Sequence, residues 1–238
     1  MRNSQSSNIQ NLGPRLELII SMIERSQLTR PYDCLWDCCC DHGYLGMKLL
    51  QRPISGKVYF VDQVPHITES LAHDLGSFQQ ENVNAGEYEV LTEDAGNLSF
   101  SENQRHIVIL AGITGTNVMR IMRQLIANHT EHHIDYIVCP TRGNYDVREF
   151  MRSHALTLID EALVSENSRQ YEVMYVSSLK ELDKSRLISE VGRMWDTRNP
   201  EHLRYLRGTI LHYQREAQVP GRDKALRALK TYQQVIQP

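Results

Sequence analysis

The chain has 238 residues, 41% hydrophobic and 23% charged, with a formal net charge of −3. That is the balance of an ordinary globular protein, with length for one large α/β domain and a small appendage. No apolar run approaches the ~20 residues that span a bilayer, and residues 1–11, rich in Asn, Ser and Gln, lack the basic start and apolar centre of a secretion signal, so a cytoplasmic protein with a disordered N-terminus is expected.

In chain order, Leu12, Leu16, Ile19, Ile20 and Ile23 recur at helical spacing, with Pro14 where a first turn tolerates it. Tyr32 to Cys40 reads as a buried parallel strand. Cys34, Cys38, Cys39 and Cys40 lie within it, without finger spacing, and read as reduced thiols packed as small apolar side chains. A metal site from Cys38, Cys40, Asp41 and His42 is set aside, because successive strand residues face opposite ways. Gly43 to Gln51 reads as a helix, Lys57 to Val61 as a strand, Ile67 to Gln80 as a helix, and Glu87 to Leu91 as a third strand.

His106 to Leu110 is the fourth strand, Thr116 to Ala127 an amphipathic helix, Tyr136 to Cys139 a fifth strand closed by Pro140, and Val147 to His154 a short helix. Leu156 to Val164 and Tyr171 to Ser177 flank a polar turn and form an antiparallel pair. Strands alternating with helices, then a hairpin, predict a doubly wound, mostly parallel seven-stranded sheet over residues 12–179. From residue 180 to 238 the strand signal stops. Leu182 to Met194, Pro200 to Gln214 and Arg222 to Ile236 read as the helices of a small C-terminal domain. Charge divides at the same point: 12 Lys and Arg against 7 Asp and Glu from Lys180 onward, but 14 against 22 before it. A basic tail on an acidic body suits a polyanionic partner, or is a solvated helical surface.

Ligands of a doubly wound sheet bind at the carboxyl ends of its strands. The first such loop, Asp37-Cys38-Cys39-Cys40-Asp41-His42-Gly43-Tyr44-Leu45-Gly46, has two glycines where a dinucleotide site wants three, and acids flank it. Asp37 and Asp41 would repel a pyrophosphate but not a ligand bearing a sulfonium and an ammonium, which favours S-adenosyl-L-methionine. Asp62, with Gln63 beside it, ends the second strand, where a carboxylate can accept both ribose hydroxyls. Asp94, beside Ala95, follows the third and can accept from an adenine amino group. Each acid alone is better explained as a helix cap or turn residue. Three at successive strand ends are a signal. Arg142 and Tyr145, after the fifth strand, are candidates for a phosphate contact and for stacking on a base, or are ordinary loop residues.

On these residues the chain resembles the bacterial tRNA (adenine-22-N1)-methyltransferases. The resemblance covers roughly Leu12 to Leu179. It runs through Leu12-Gly13-Pro14-Arg15-Leu16, the Asp41-His42-Gly43-Tyr44-Leu45 core, Ala111-Gly112-Ile113-Thr114-Gly115 and Tyr171-Glu172-Val173. It implies a Rossmann-like methyltransferase domain and a helical domain that helps hold tRNA. Cofactor roles fall on Asp37, Asp41, Gly43, Asp62 and Asp94, and then on Arg15, His42, Ala111 and Gly112. The chain departs from the family at Cys39 and Thr114, where the family has glycine, at His106, where it tends to have aspartate, and at Cys139-Pro140-Thr141.

The expected reaction is methyl transfer to N1 of adenine 22 in tRNA, with Asp41 as candidate catalytic carboxylate, Tyr44 as a second stacking candidate, and Arg204, Arg207, Arg215 and Arg227 gripping the RNA. Two other readings stand beside it: a methyltransferase of this fold acting on another RNA or a small molecule, and a non-catalytic protein that binds RNA or senses the cofactor.

Overall fold

A computed structural model describes residues 12–54, 56–179 and 187–236. Among them are α1 (Pro14–Gln27), β1 (Cys34–Cys38), α2 (Tyr44–Leu50), β2 (Lys57–Asp62), α3 (Pro65–Glu81), β3 (Tyr88–Thr92), β4 (His106–Ala111), α4 (Gly115–Asn128), β5 (Ile134–Cys139) and α5 (Asn144–Ser153). β6 (Thr157–Glu166), β7 (Arg169–Ser177), α6 (Pro200–Glu216) and α7 (Asp223–Ile236) complete the order. The sheet runs β3-β2-β1-β4-β5-β7-β6. Its first five strands are parallel, and β7 is antiparallel to both β5 and β6. The order reverses between β1 and β4, which opens a crevice at their carboxyl ends.

The burial explains the apolar runs. Every residue of β1 and β5 is buried, as in a sheet covered on both faces. Along β4, Ile107 and Ile109 pack with Ile19, Ile23, Leu49 and Leu75 beneath α1, α2 and α3. Val108 and Leu110 face the other way, onto Val118, Ile121, Leu125 and Met151 of α4 and α5. A third cluster joins Tyr145 of α5 to Leu206, Ala228 and Tyr232 of α6 and α7.

Most boundaries move by one to three residues, and two departures from expectation matter here. The first strand stops at Cys38, so Cys39 and Cys40 belong to the turn. The helix expected over Leu182 to Met194 lies partly outside the described residues, and its remainder, 187–194, is not helical. Backbone groups there serve distant partners instead: Leu187 bridges to Thr157, the Ser189 carbonyl accepts from Arg148, and the Arg193 N–H donates to Glu161.

Candidate functional site

The turn after β1 is held open by left-handed backbone: Cys39, Asp41 and Gly43 have φ of 56°, 50° and 67°. Gly43 suits the left-handed conformation, and a Cβ there would stand 2.6 Å from Leu71 Cδ1 and push that side chain aside. The Cys40 N–H donates to the Val61 carbonyl and the Gly43 N–H to that of Cys40, tying the turn to β2. Cys39 has no such freedom. It carries a side chain in a conformation L-residues avoid.

Three carboxylates surround it. Asp37, 5% exposed, accepts a hydrogen bond from the Gly46 N–H at 3.0 Å. Burial pushes its carboxyl up to about 7, with the Gly46 bond pulling the other way. Asp62 ends β2, 9% exposed, with Oδ1 accepting from the Val64 N–H at 3.0 Å. Asp94 caps the short 3₁₀ turn Ala95–Asn97, accepting from the Gly96 N–H at 2.8 Å. The Cys39 thiol is pushed up to about 11 by burial first, then by the charges of Asp62, Asp37 and Asp94. Asp62 and Asp94 share a cleft with Cys39, and Asp37 lies behind the turn within reach of the thiol's field. Cys39, Asp62, Gln63, Asp94 and Ala95 line one cleft of about 50 Å³.

Two polar α4 residues absent from the sequence-based set also line this cleft, Asn117 and Arg120, with Ile121 beside them. Arg120 donates to both carboxylate oxygens of Asp94. The only signal for them in the sequence is their i, i+3 spacing in the first turns of the helix after β4.

On the far side of the crevice, β4 ends at Ala111, and Gly112 has φ +84°. Its nearest non-neighbouring group is Arg15, whose Nη1 lies 3.6 Å from where a Gly112 Cβ would stand. Arg15 pairs with Glu166 (Nε–Oε2 3.4 Å) and covers the Tyr171 ring at 5.0 Å. It also offsets the rise that burial imposes on the Cys139 thiol. The loops after β4 and β5 are laced together, Thr141 N–H to the Ile113 carbonyl and Gly115 N–H to that of Arg142.

Asp41 and His42 project from the turn, their side chains each 70% exposed and 3.9 Å apart. His42 stacks on Tyr44, centroids 5.5 Å apart. Arg142 and Arg204 line a second cavity of about 560 Å³, between the loop after β5 and the C-terminal helices, with Gln170, Tyr205 and His212. Arg207, Arg215 and Arg227 are exposed, and Arg227 lies 3.9 Å from Glu149 of α5. Tyr145 lines that second cavity but is 3% exposed and packs against Tyr213 and Tyr232, so its ring also joins body to tail. The helix-period reading could not detect this, because the partners come from 68 and 87 residues away.

Among the described residues no group of three or more His, Cys, Asp or Glu is placed to hold a metal ion. None of the described helices is long and apolar enough to cross a membrane.

The arrangement has known relatives. A family model described as a methyltransferase domain matches residues 12–174. A Mycoplasma pneumoniae protein with a provisional tRNA methyltransferase name is 26% identical over 162 residues, 68% of this chain and 71% of its own. M. capricolum TrmK, solved with S-adenosyl-homocysteine, superposes with a TM-score of 0.68 at 16% identity, covering 95% of this chain and 98% of that one. The B. subtilis m1A22 tRNA methyltransferase TrmK does so at 0.66 and 15%, covering 95% and 96%. At these identities the two structures establish the fold.

Proposed function

The chain belongs to the methyltransferase domain family, and on that premise we propose that it transfers a methyl group from S-adenosyl-L-methionine to N1 of adenine 22 in tRNA, as a cytoplasmic enzyme. The observation that carries the cofactor reading is the cleft that Asp62 and Asp94 share with Cys39, beside the turn whose Gly46 N–H holds Asp37. This donor set fits the ligand. Asp62 spends one oxygen on the Val64 N–H, which leaves the other for ribose hydroxyls. Asp37 offers a negative charge behind the turn, and Arg15 at Gly112 offers a cation for a carboxylate. The substrate assignment rests on the relatives named as tRNA methyltransferases and on the basic charge balance of the tail.

Bound S-adenosyl-L-methionine supplies a methyl group made electrophilic by its sulfonium. The chain must then align an incoming base, and orientation of this kind lowers barriers by ~7–11 kcal/mol. Adenine N1 has a free lone pair at neutral pH, so no strong general base is required. Positive charge grows on the base as it is methylated, and a carboxylate at the lip of the turn stabilises it. Asp41 is our candidate for that carboxylate. His42, Ala111 and Gly112 line the approach, and Gly112, lacking a Cβ, admits the base close to β4. Flipping the adenine out of its stack costs a few kcal/mol, offset by stacking on Tyr44 and by phosphate contacts from Arg142 and Arg204. Residues 180–238 act as the RNA-holding domain and 12–179 as the catalytic one.

The deciding experiment is nucleoside mass spectrometry of unmodified tRNA incubated with enzyme and cofactor. Formation of 1-methyladenosine, lost when adenine 22 is replaced by guanine, is the expected result. A different methylated nucleoside would redirect the assignment to another target, and no product would overturn it.

A further inference from the structure

We propose that Arg120 is a gate of the adenosine subsite, its guanidinium competing with a purine for Asp94. The inference rests on the cofactor reading above and adds a control that the reading does not contain. A single nitrogen, Nη1, makes the contact: 3.1 Å to Asp94 Oδ1, 2.9 Å to Oδ2 and 2.7 Å to Gln124 Oε1. The two-nitrogen fork that makes arginine–carboxylate pairs strong is not used. The two side chains are 41% and 29% exposed, and ion pairs of that exposure hold weakly.

The contact nevertheless closes the cleft. With Arg120 across it, about 50 Å³ remains between Asp62 and Asp94, space on the order of one or two water molecules. Sites for ligands of adenosine size begin at roughly 300 Å³. A purine amino group and the guanidinium are both hydrogen-bond donors seeking the same carboxylate, so they exclude each other. Asp94 is itself fixed by the Gly96 N–H, and Asp62 by the Val64 N–H. The mobile partner is therefore the long arginine side chain. Gln124, one helical turn further along α4, remains as a partner when it swings away. The gate thus sets a threshold. A ligand that supplies a donor to Asp94 opens it, and one that does not leaves the pair intact.

The test is calorimetric titration with S-adenosylhomocysteine, comparing wild type with Arg120→Ala and Arg120→Gln. Both variants should bind up to about fivefold more tightly at low salt, the equivalent of an exposed ion pair released. The advantage should shrink toward parity at about 1 M salt, where the Debye length falls to about 3 Å and the wild-type pair is screened. Equal or weaker binding by both variants at low salt, with wild type still binding, would overturn the gate alone. Failure of all three proteins to bind would remove the cofactor reading and the gate together.

Discussion

The backbone N–H of Gly46 donates to Asp37 Oδ2 at 3.0 Å, across the turn between β1 and α2. That bond favours the ionised carboxyl, but burial outweighs it and lifts the group to about 7. Folding thus raises this carboxyl from its ordinary ~3.9. Its stabilising contribution is complete below that value and is lost as pH climbs through about 7. Asp37→Asn should therefore be more stable than wild type at alkaline pH, by thermal unfolding. A cationic ligand prefers the ionised form. Wild-type affinity for S-adenosyl-L-methionine should rise about fivefold between pH 6 and 7, below the titration of an α-amino group. The variant should show a flat, weaker profile, and a matching rise in the variant would exonerate Asp37.

His106 works in the opposite sense at the amino end of β4. Trp36 Nε1–H donates to its Nδ1 at 3.2 Å, which leaves Nε2–H to donate to the Ser101 carbonyl at 3.0 Å. Only the neutral ring satisfies both. Burial lowers its pKa, His132 and His129 add to the fall, and the Ser101 bond and Asp33 oppose it. Stability from this group is present above the ordinary histidine value of ~6.5 and is lost as pH falls below it. His106→Gln should flatten the acid limb of a Tm-against-pH curve below about pH 6.5; an identical limb would show that His106 is not the group responsible.

Much of this was legible in the sequence, for a physical reason. Strands buried on both faces must be continuous apolar runs, so β1, β4 and β5 stand out, and Asp37, Asp62 and Asp94 at the carboxyl ends of β1, β2 and β3 are conspicuous. What could not be read depends on distant partners. Arg120 looks like an ordinary helix-surface cation until the fold sets it against Asp94, 26 residues earlier. Tyr145 looks like a loop aromatic until α6 and α7 cover it. The stretch 187–194 has helical composition, yet its backbone partners lie in β6 and α5.

Neighbouring cysteines should respond in opposite ways. Cys39 has φ 56°, a left-handed conformation that costs an L-residue roughly 1–2 kcal/mol and glycine little. Glycine's greater chain entropy takes back about 0.5–1 kcal/mol, so Cys39→Gly should leave Tm nearly unchanged or slightly raised. Cys38, 1% exposed in the strand, has no such strain to release. Cys38→Gly should lose packing and lower Tm clearly. Equal losses at both positions would show that strain at Cys39 is negligible.

Tail and body share a buried ionic knot. Arg148 of α5 is fully buried, pairing with Glu161 and Glu172 at 2.7 and 2.9 Å, and Tyr205 of α6 donates to Glu172 at 2.7 Å. Removing the cation strands two buried carboxylates. Arg148→Met should cost about 3–5 kcal/mol in denaturant unfolding. Tyr205→Phe deletes one bond to a charged acceptor and should cost about 1.5–3 kcal/mol. A loss under ~1 kcal/mol for Arg148→Met would mean that the glutamates simply take up protons.

At 100° per residue, Arg204, Arg207 and Arg215 fall within about 80° of one another around α6, a single basic stripe. It begins beside the cavity that Arg204 shares with Arg142 at the end of β5. Arg227 is different, because Glu149 faces it at 3.9 Å and the α7 cation Lys224 pairs with Asp146 and Glu149. An arginine already facing a carboxylate releases fewer counterions when RNA arrives. Each alanine substitution of Arg204, Arg207 or Arg215 should therefore weaken tRNA binding and reduce the slope of log K against log salt by about one. Arg227→Ala should change that slope less. Filter binding or fluorescence titration across a salt series reads the difference directly. Slopes unaltered by all three α6 substitutions would show that the stripe is a solvated helix surface and that the RNA lies elsewhere.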